Sequence, residues 1–360
     1  QQAIADIISF FDLNGGKIIM TWNHAILYKV DTMKHVRLNL ILASLLILTS
    51  CSSESMPSTN QTDQFIRVVV PPNPNALPLF ITTAQNPDLK VKLLPVPGVP
   101  ELTAALQGNQ ADVAVFFSAA GAQIYNKGAL PNLRLWNINV WRAIYLITSE
   151  KTVTNFNNLK GLKILASFQG GAPDLMMRAA INKAGYSPEM DFAIEYLPSA
   201  QVTQLMLSGK GAAVLLPEPQ ASQLIAKANS ENITLGAVID LQAGFGSSSW
   251  QEGEAPLGGI LVLQEILDNP VLRTNFEQFA AAYDAAIQYI NANPDQAAEI
   301  AAEGYNEMFG SSISAQIIAS ALKSGRLLFR SQPVSELRPD LDNFLVSLIG
   351  QAPSDEFYVK

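Results

Sequence analysis

Histidine and cysteine are scarce in this chain of 360 residues, which contains two His and one Cys. Both histidines, His24 and His35, precede the single cysteine, Cys51. Beyond Cys51 the sequence therefore cannot build a Ser-His-Asp triad or a Cys-His pair, because both need an imidazole base. Zinc sites made of His and Cys are excluded there as well. Since no acidic pair has a suggestive spacing either, we expect no catalytic residues, no metal site and no cofactor.

Charged residues are also few, at 15% of the chain, and the formal net charge is −8. A nucleic-acid-binding surface needs a basic patch, so nucleic acid is not an expected partner. Hydrophobic residues make up 48% of the chain, which is enough for a large core. The length favours two domains or one large domain with two lobes.

The segment before Cys51 has the order of a secretion signal. A basic stretch at residues 33–37 (MKHVR) precedes an apolar run at residues 38–48 (LNLILASLLIL). The run is too short for a membrane span of roughly 20 residues, and small residues follow it. Its end, Leu-Thr-Ser-Cys, resembles the bacterial lipobox, in which the cysteine is lipidated and becomes the first mature residue. A plain signal peptide, or an anchor helix with a chance cysteine, is the alternative.

This interpretation divides the N-terminal region into three parts. Residues 33–50 are the lipoprotein signal peptide, and the Ser-rich residues 51–64 are a flexible tether that begins at Cys51. Residues 1–32 are expected to be an upstream segment outside the mature protein, although a genuine N-terminal extension is the alternative.

Short apolar runs alternate with helical patterns after residue 64. Predicted strands cover residues 65–70, 91–94, 111–116, 143–148, 162–166, 192–195, 212–216, 235–239 and 258–263. Such alternation indicates parallel sheets with right-handed crossovers. From Pro270 onward the pattern is mainly helical, so residues 258–263 are expected to form the last strand.

A weak internal echo relates residues 106–113 (LQGNQADV) to residues 207–214 (LSGKGAAV). In each segment a helix ends at Gly and a buried strand follows, and Gly suits the left-handed position that ends a helix. Two similar α/β lobes would produce this echo, although a helix–Gly–strand sequence is common in α/β proteins.

Together these features resemble the solute-binding proteins of the nitrate, sulfonate, taurine and thiamine-pyrimidine import family, over residues 65–325. The segments that carry the resemblance are residues 102–115 (LTAALQGNQADVAV), 158–164 (NLKGLKI), 168–173 (FQGGAP), 209–219 (GKGAAVLLPEP) and 289–298 (YINANPDQAA). The sequence departs from the family at Ala213, where Asp is usual, and at Leu215 and Leu216, near which an aromatic residue is usual. These departures concern the ligand class more than the fold.

The resemblance implies a two-lobed periplasmic-binding-protein fold (type II), in which each lobe is a mostly parallel sheet flanked by helices and the ligand cleft lies between the lobes. Lobe 1 is expected to span residues 65–147 plus 256–360, and lobe 2 residues 148–255. The implied function is the solute-binding component of an ABC import system. It would capture a small anionic or heteroaromatic solute by clamp closure and deliver it to a membrane permease. We expect a monomer, lipid-anchored at the periplasmic or extracellular face of the cell membrane.

Ligands of open α/β sheets bind beyond the carboxyl ends of the strands, and the resemblance implies the same segments. Residues 167–174 (SFQGGAPD) precede a helix, whose backbone N–H groups and dipole would favour an anion; an ordinary strand–helix turn is the alternative. The candidate ligand-binding residues are Asn73, Asn75, Phe117, Ser118, Trp141, Ser167, Gln169, Gly170, Gly171, Ala172 and Glu218.

Several of these candidates have an equally plain structural role. Asn73 and Asn75 occupy a Pro-rich turn and suit turn formation. Ser118 suits a helix cap, Trp141 suits core packing, and Glu218 lies between two prolines, where it suits a turn.

Two other functions fit parts of the same pattern. Pyrimidine synthases and menaquinone-pathway lyases are enzymes with a similar fold. They are cytosolic, however, and the synthases depend on a Cys-rich motif and an active-site His that are missing after Cys51. A surface lipoprotein that presents its ligand to a receptor would share the fold and the anchor.

Overall fold

A computed structural model describes residues 65–167 and 169–359. The predicted signal peptide, the lipidation site Cys51, the tether and the upstream segment lie outside these residues. The strands are β1 (Ile66–Val70), β2 (Val91–Pro95), β3 (Val113–Phe117), β4 (Leu133–Leu135), β5 (Asn137–Arg142), β6 (Ile144–Thr148), β7 (Lys163–Ala166), β8 (Ala193–Tyr196), β9 (Ala213–Pro217), β10 (Val238–Asp240), β11 (Gly258–Leu263) and β12 (Leu328–Pro333).

Helices flank these strands. They are α1 (Ala76–Gln85), α2 (Val99–Gln107), α3 (Ser118–Asn126), α4 (Phe156–Leu159), α5 (Ala172–Lys183), α6 (Pro188–Asp191), α7 (Ser199–Leu207), α8 (Gln220–Ser230), α9 (Gln264–Asp268), α10 (Pro270–Ala292), α11 (Pro294–Phe309), α12 (Ala315–Lys323) and α13 (Asp340–Ile349). Two short 3-10 turns cover Val334–Glu336 and Asp355–Phe357.

The larger sheet has the order β12-β5-β11-β3-β1-β2, and β4 also pairs with β11. Strands β2, β1 and β3 run parallel to one another. Strand β11 is antiparallel to β3, β4 and β5, and β12 is antiparallel to β5. This sheet, with the helices of the C-terminal third, forms the larger lobe.

The smaller sheet repeats this arrangement in the order β10-β6-β9-β7-β8. Strands β8, β7 and β9 are parallel, whereas β6 is antiparallel to β9 and β10 is antiparallel to β6. Strands β3 and β9 thus hold equivalent places, which agrees with the internal echo in the sequence. Gly209 takes the expected left-handed conformation, but in the first copy Asn109 takes it (φ 54°) and Gly108 does not (φ −81°).

The two-lobed α/β architecture is confirmed, with two corrections. Each sheet is mixed, since antiparallel strands lie beside a parallel set of three. The predicted boundary at residue 147 falls inside β6, all five residues of which pair with β9 of the smaller sheet. The chain therefore crosses between the sheets at Ala143, directly after β5.

Three strands lack a counterpart in the sequence prediction: β4, β5 and β12. The expectation that residues 258–263 form the last strand is wrong, since Leu328–Pro333 pairs with β5. Both β5 (NINVWR) and β12 (LFRSQP) carry polar side chains at positions that face neighbouring elements, so neither reads as an apolar run.

Helix packing in the larger lobe depends on a glycine at one close contact. Helix α11 crosses α1 at Gly304, where an added Cβ would lie 2.6 Å from ring atoms of Phe80. The Phe80 ring meets Tyr305 and Phe309 edge-on, with centroid separations of 6.2 Å in both pairs. This contact positions α1, whose first residues follow the turn at the end of β1.

Candidate functional site

A cavity of about 50 Å³ lies where the carboxyl ends of β1 and β3 face the smaller lobe. The larger lobe contributes the turns after β1 and β2 and the end of β3, and the smaller lobe contributes the start of α5 and the end of β9. The lining residues are Pro71, Pro72, Asn73, Pro97, Gly98, Val99, Phe116, Phe117, Gly171, Ala172, Pro173 and Pro217.

Four of the predicted site residues line this cavity: Asn73, Phe117, Gly171 and Ala172. The other seven are not among its lining residues. Their part in ligand binding stays a prediction, but the structure gives each of them a definite set of contacts.

Asn73 and Asn75 organise the turn between β1 and α1. The Asn73 side chain donates to the carbonyl of Pro71 at 3.1 Å and accepts from the backbone N–H of Asn75 at 2.7 Å. Asn75 is fully buried, and its carbonyl accepts a hydrogen bond from the Tyr283 hydroxyl at 2.7 Å. Its side-chain Oδ1 has no hydrogen-bond partner within residues 65–167 and 169–359, and it would lie 2.3 Å from a Cβ at Gly258. Gly258 therefore leaves space that this asparagine needs.

Phe117 and Ser118 form the junction of β3 and α3. Phe117 is the N-cap residue of α3, and its ring meets that of Phe116 at 5.8 Å. The Ser118 hydroxyl does not cap the helix. It donates instead to the carbonyl of Pro256, and the Ser118 backbone N–H donates to the carbonyl of Leu257 at 2.9 Å. Ser118 thus ties the end of β3 to the segment that returns from the smaller lobe.

Trp141 is completely buried, as the core-packing interpretation expected. Its indole N–H donates to the carbonyl of Arg330 at 2.6 Å, and the Arg330 guanidinium lies 4.4 Å from the ring centroid. Arg330 also pairs with both carboxylate oxygens of Glu254. Trp141 therefore packs where the two crossings between the lobes meet, away from the cavity lining.

Residues 167–174 join β7 to α5, and Phe168 lies outside the described residues. Ser167 is buried, whereas Gln169 and Gly170 are exposed. Gly170 has a φ of +73°, a conformation that favours glycine. Its backbone N–H donates to Asp174 Oδ2 at 2.8 Å.

Asp174 stands in the first turn of α5 and is 1% exposed. Its Oδ1 accepts from Arg178 Nε at 3.0 Å and from the Tyr196 hydroxyl at 2.7 Å. Burial and the hydrogen bond to Asp174 raise the pKa of Tyr196 to about 12. The expected anion site at this helix start already holds a carboxylate of the chain itself.

Glu218 follows β9 and is fully buried. Its carboxylate accepts from Arg326 Nε at 3.0 Å and from the backbone N–H of Ser222 at 3.1 Å. Burial raises the pKa of Glu218, although Ser222 and the charge of Arg326 oppose the shift. The Tyr145 hydroxyl donates to the carbonyl of Arg326 at 2.7 Å, which fixes this arginine from a second side.

Sequence reasoning did not single out Asp174 and Arg326, whose side chains bond to the candidate residues Gly170 and Glu218. Asp174 had a local signal, because an acidic residue in the first turn of a helix satisfies free N–H groups and the helix dipole. Arg326 had no local signal, because it is 108 residues away from Glu218 in the sequence.

A family model described as the NMT1-like family matches residues 82–302. Solved structures with a similar fold include an ABC transporter from Parabacteroides distasonis (21% identity, TM-score 0.61, covering 83% of this chain and 99% of that chain). Another is the alkanesulfonate-binding protein SsuA from Xanthomonas axonopodis pv. citri bound to MOPS (14% identity, TM-score 0.59, 82% and 97% covered). A third is the ligand-binding component of an ABC-type import system from Staphylococcus aureus (15% identity, TM-score 0.60, 82% and 96% covered).

No curated protein matches the sequence. Of the helices that the structure describes, none combines the length and the hydrophobicity needed to cross a membrane.

Proposed function

Because the chain belongs to the NMT1-like family and shares its fold with binding components of ABC importers, we propose that it is such a solute-binding component itself. It captures a small molecule between its lobes, performs no chemistry on it and delivers it to a membrane permease. The observation that carries this proposal is the cavity where the end of β3 and the start of α5 face each other. A concave site between two lobes is typical of ligand capture.

Capture works by clamp closure. The chain crosses between the sheets at Ala143 and again before β11. These two connecting segments are where the lobes can hinge. The cavity of about 50 Å³ is far smaller than the roughly 300 Å³ of ordinary ligand sites, so a typical ligand enters only when the lobes separate. A ligand that contacts both lobes stabilises the closed form by its higher affinity for that form.

Membrane attachment completes the proposal. Lipidation at Cys51 would hold the protein at the periplasmic or extracellular face of the membrane, and residues 51–64 would act as a tether. A monomer with a free cleft can approach a permease in this arrangement. A Cys51→Ser variant tests the anchor: it should lose lipid labelling and leave the membrane fraction, whereas a Ser53→Ala variant should keep both.

Ligand capture is tested by thermal unfolding of the chain with a panel of small molecules, followed by chemical analysis of the recovered compound. A ligand at a hundred times its dissociation constant stabilises the folded form by about 2.7 kcal/mol, which raises the midpoint by several degrees. The compound should be recovered unchanged; turnover of the compound would contradict a pure binding role.

A blocked cleft provides the control. Ala172 lines the cavity, so an Ala172→Phe variant should lose the ligand-induced shift. Ala184 is exposed just beyond the end of the same helix, and Ala184→Phe should leave the shift unchanged.

A further inference from the structure

The lining of the cavity carries no charged side chain among the residues that the structure describes. Five prolines and two phenylalanines supply most of it, and Asn73 contributes the single side-chain amide. Such a lining solvates an uncharged molecule well. A bare anion buried against it would lose its hydration without gaining a cationic partner, and that desolvation cost is large.

At two helix starts beside the cavity, those of α1 and α8, the chain satisfies a backbone N–H group itself. The backbone N–H of Asn75 is taken by Asn73 Oδ1, and the backbone N–H of Ser222 is taken by Glu218. Two of the groups at helix starts beside the cavity, Asp174 and Glu218, are carboxylates. Because each of them pairs with a nearby arginine, neither arginine is left free for a ligand anion.

Asp174 is the decisive group, since it occupies the place where a ligand anion was expected. It takes the Gly170 N–H and pairs with Arg178, while the remaining hydrogen bonds of Arg178 go to Glu189 and the Tyr196 hydroxyl. The second nearby guanidinium, that of Arg326, is engaged by Glu218 and the Ser222 hydroxyl. Neither arginine can turn to a ligand without breaking these bonds.

We propose that the cleft selects an uncharged solute with an apolar or aromatic face, and that Asp174 is the residue that excludes anions. This inference rests on the proposed function, in that the cavity is the ligand site. It narrows the ligand class from anionic or heteroaromatic solutes to neutral ones.

Matched pairs of probes test the selection on the full chain. Benzamide is compared with benzoate, and dimethyl sulfone with methanesulfonate, by calorimetric titration at pH 7. We expect the neutral member of a pair to bind the wild-type protein at least tenfold more tightly than the anion.

An Asp174→Ala variant tests the residue. Removal of the carboxylate frees the Gly170 N–H, Arg178 and Tyr196, so acetate or methanesulfonate should now stabilise the protein saturably and raise its unfolding midpoint by several degrees. Asp174→Asn, which keeps the shape of the side chain, should gain the same response if the alanine variant folds poorly. Asp191→Ala is the matched control: Asp191 also accepts from a backbone N–H at a helix start and pairs with a lysine, but its helix, α6, contributes no residue to the described lining of the cavity, whereas α5 does.

The outcomes separate this inference from the proposed function. Wild-type binding of an anion as tight as that of its neutral partner overturns the inference and leaves ligand capture standing. Absence of any anion response in both Asp174 variants overturns the role of Asp174. A third outcome is that those variants respond to anions while the wild type binds no neutral ligand across a wide panel. This would support Asp174 as the carboxylate that occupies the anion site, and it would count against ligand capture.

Discussion

At the scale of single residues, the buried carboxylate of Glu218 makes the stability of the folded protein depend on pH. Desolvation raises its pKa above the ordinary value of 4.5, against the opposing contacts of Ser222 and Arg326. The folded protein therefore holds a proton on Glu218 at pH values where the unfolded chain has already released it. Stability gained from this proton is fully present below the unfolded pKa and is lost as pH rises through the folded pKa.

A Glu218→Gln variant should remove this dependence. As pH rises from 4.5 through the raised pKa, the unfolding free energy of the wild type should fall relative to that of the variant. The reason is that only the wild type loses the bound proton. Urea unfolding at a series of pH values gives the unfolding free energy of both proteins. Glu307→Gln, at an exposed glutamate of α11, serves as the control for the substitution itself. A wild type that gains stability relative to Glu218→Gln over this range would contradict the raised pKa.

Residue contacts at the site were only partly predictable from sequence. The rule that ligands bind beyond the carboxyl ends of strands found Asn73, Phe117 and Ala172, which line the cavity, because strand order alone places them. It could not find the bond from Ser118 to Pro256 or that from Trp141 to Arg330. Those partners are brought together by the whole fold, and local sequence carries no trace of them.

At the scale of helices and strands, burial decides which elements a sequence reveals. Strand β11 (GGILVL) is uniformly apolar and was predicted to the residue. Strand β5 was missed although it is almost wholly buried, because Asn137 and Asn139 interrupt its apolar pattern. The Asn137 side chain is accommodated by the Ser331 hydroxyl at 3.0 Å and by the backbone N–H of Ile260. Such partners come from other strands, so a polar residue can be buried without any local sign of it.

The crossing of α11 over α1 yields a test of packing against helix propensity. Alanine is favoured over glycine within a helix by about 1 kcal/mol, yet a Cβ at Gly304 would lie 2.6 Å from Phe80. We expect Gly304→Ala to destabilise the protein by about 1 to 3 kcal/mol, the usual cost of overpacking. Urea unfolding gives the free energy.

A double-mutant cycle identifies the cause. Phe80→Leu makes room at the crossing, so adding Gly304→Ala to that variant should cost less than adding it to wild type. Equal costs in both backgrounds would show that the Phe80 ring does not limit this position.

A carboxylate of α13 binds the loop that returns from the smaller sheet. Asp340 Oδ2 accepts from the hydroxyls of Ser248 and Ser249 at 2.6 and 2.8 Å and from the backbone N–H of Ser249 at 3.0 Å. These bonds lower the pKa of Asp340. Trp250 of the same loop packs edge-on against Phe344 of α13, with ring centroids 6.4 Å apart.

An Asp340→Ala variant should free this loop. Limited proteolysis at pH 7 should cut residues 244–253 several-fold faster than in wild type, because three hydrogen bonds to the loop are lost. Asp295→Ala, at a carboxylate whose ion pair with Lys323 is exposed, controls for a general loss of stability. Unchanged cleavage in Asp340→Ala would mean that the other contacts of the loop hold it without this carboxylate.

At the scale of the whole molecule, the two lobes share one hydrophobic cluster that includes Val69 of β1 and Ile164 of β7. The pair between Glu218 and Arg326 adds a bond between the end of β9 and the segment that leads into β12. Helix α12, which precedes Arg326, packs against both α11 and α8 and so bridges the lobes as well. We therefore expect the protein to unfold in a single transition, with its lobes coupled.

Arg326→Met tests this coupling. The change leaves the buried Glu218 without its cation, and breaking a buried pair in this way costs about 3 to 5 kcal/mol; the partial exposure of Arg326 places the expected loss at the lower end. The loss falls first on the smaller lobe, where Glu218 is held. The tryptophans after Cys51 are Trp136, Trp141 and Trp250, and none of them lies between β6 and β10. Their fluorescence therefore reports on the larger lobe and the crossings, whereas far-ultraviolet circular dichroism reports on both lobes.

In wild type the two signals should change together during urea unfolding. In Arg326→Met the circular dichroism should begin to change at lower urea than the fluorescence, because the smaller lobe loses its tie first. Lys323→Met removes an exposed ion pair within the larger lobe, 2.6 Å long, and should leave the two curves coincident. If the curves also coincide in Arg326→Met, the remaining contacts between the lobes couple them without this ion pair, which then contributes stability without governing cooperativity.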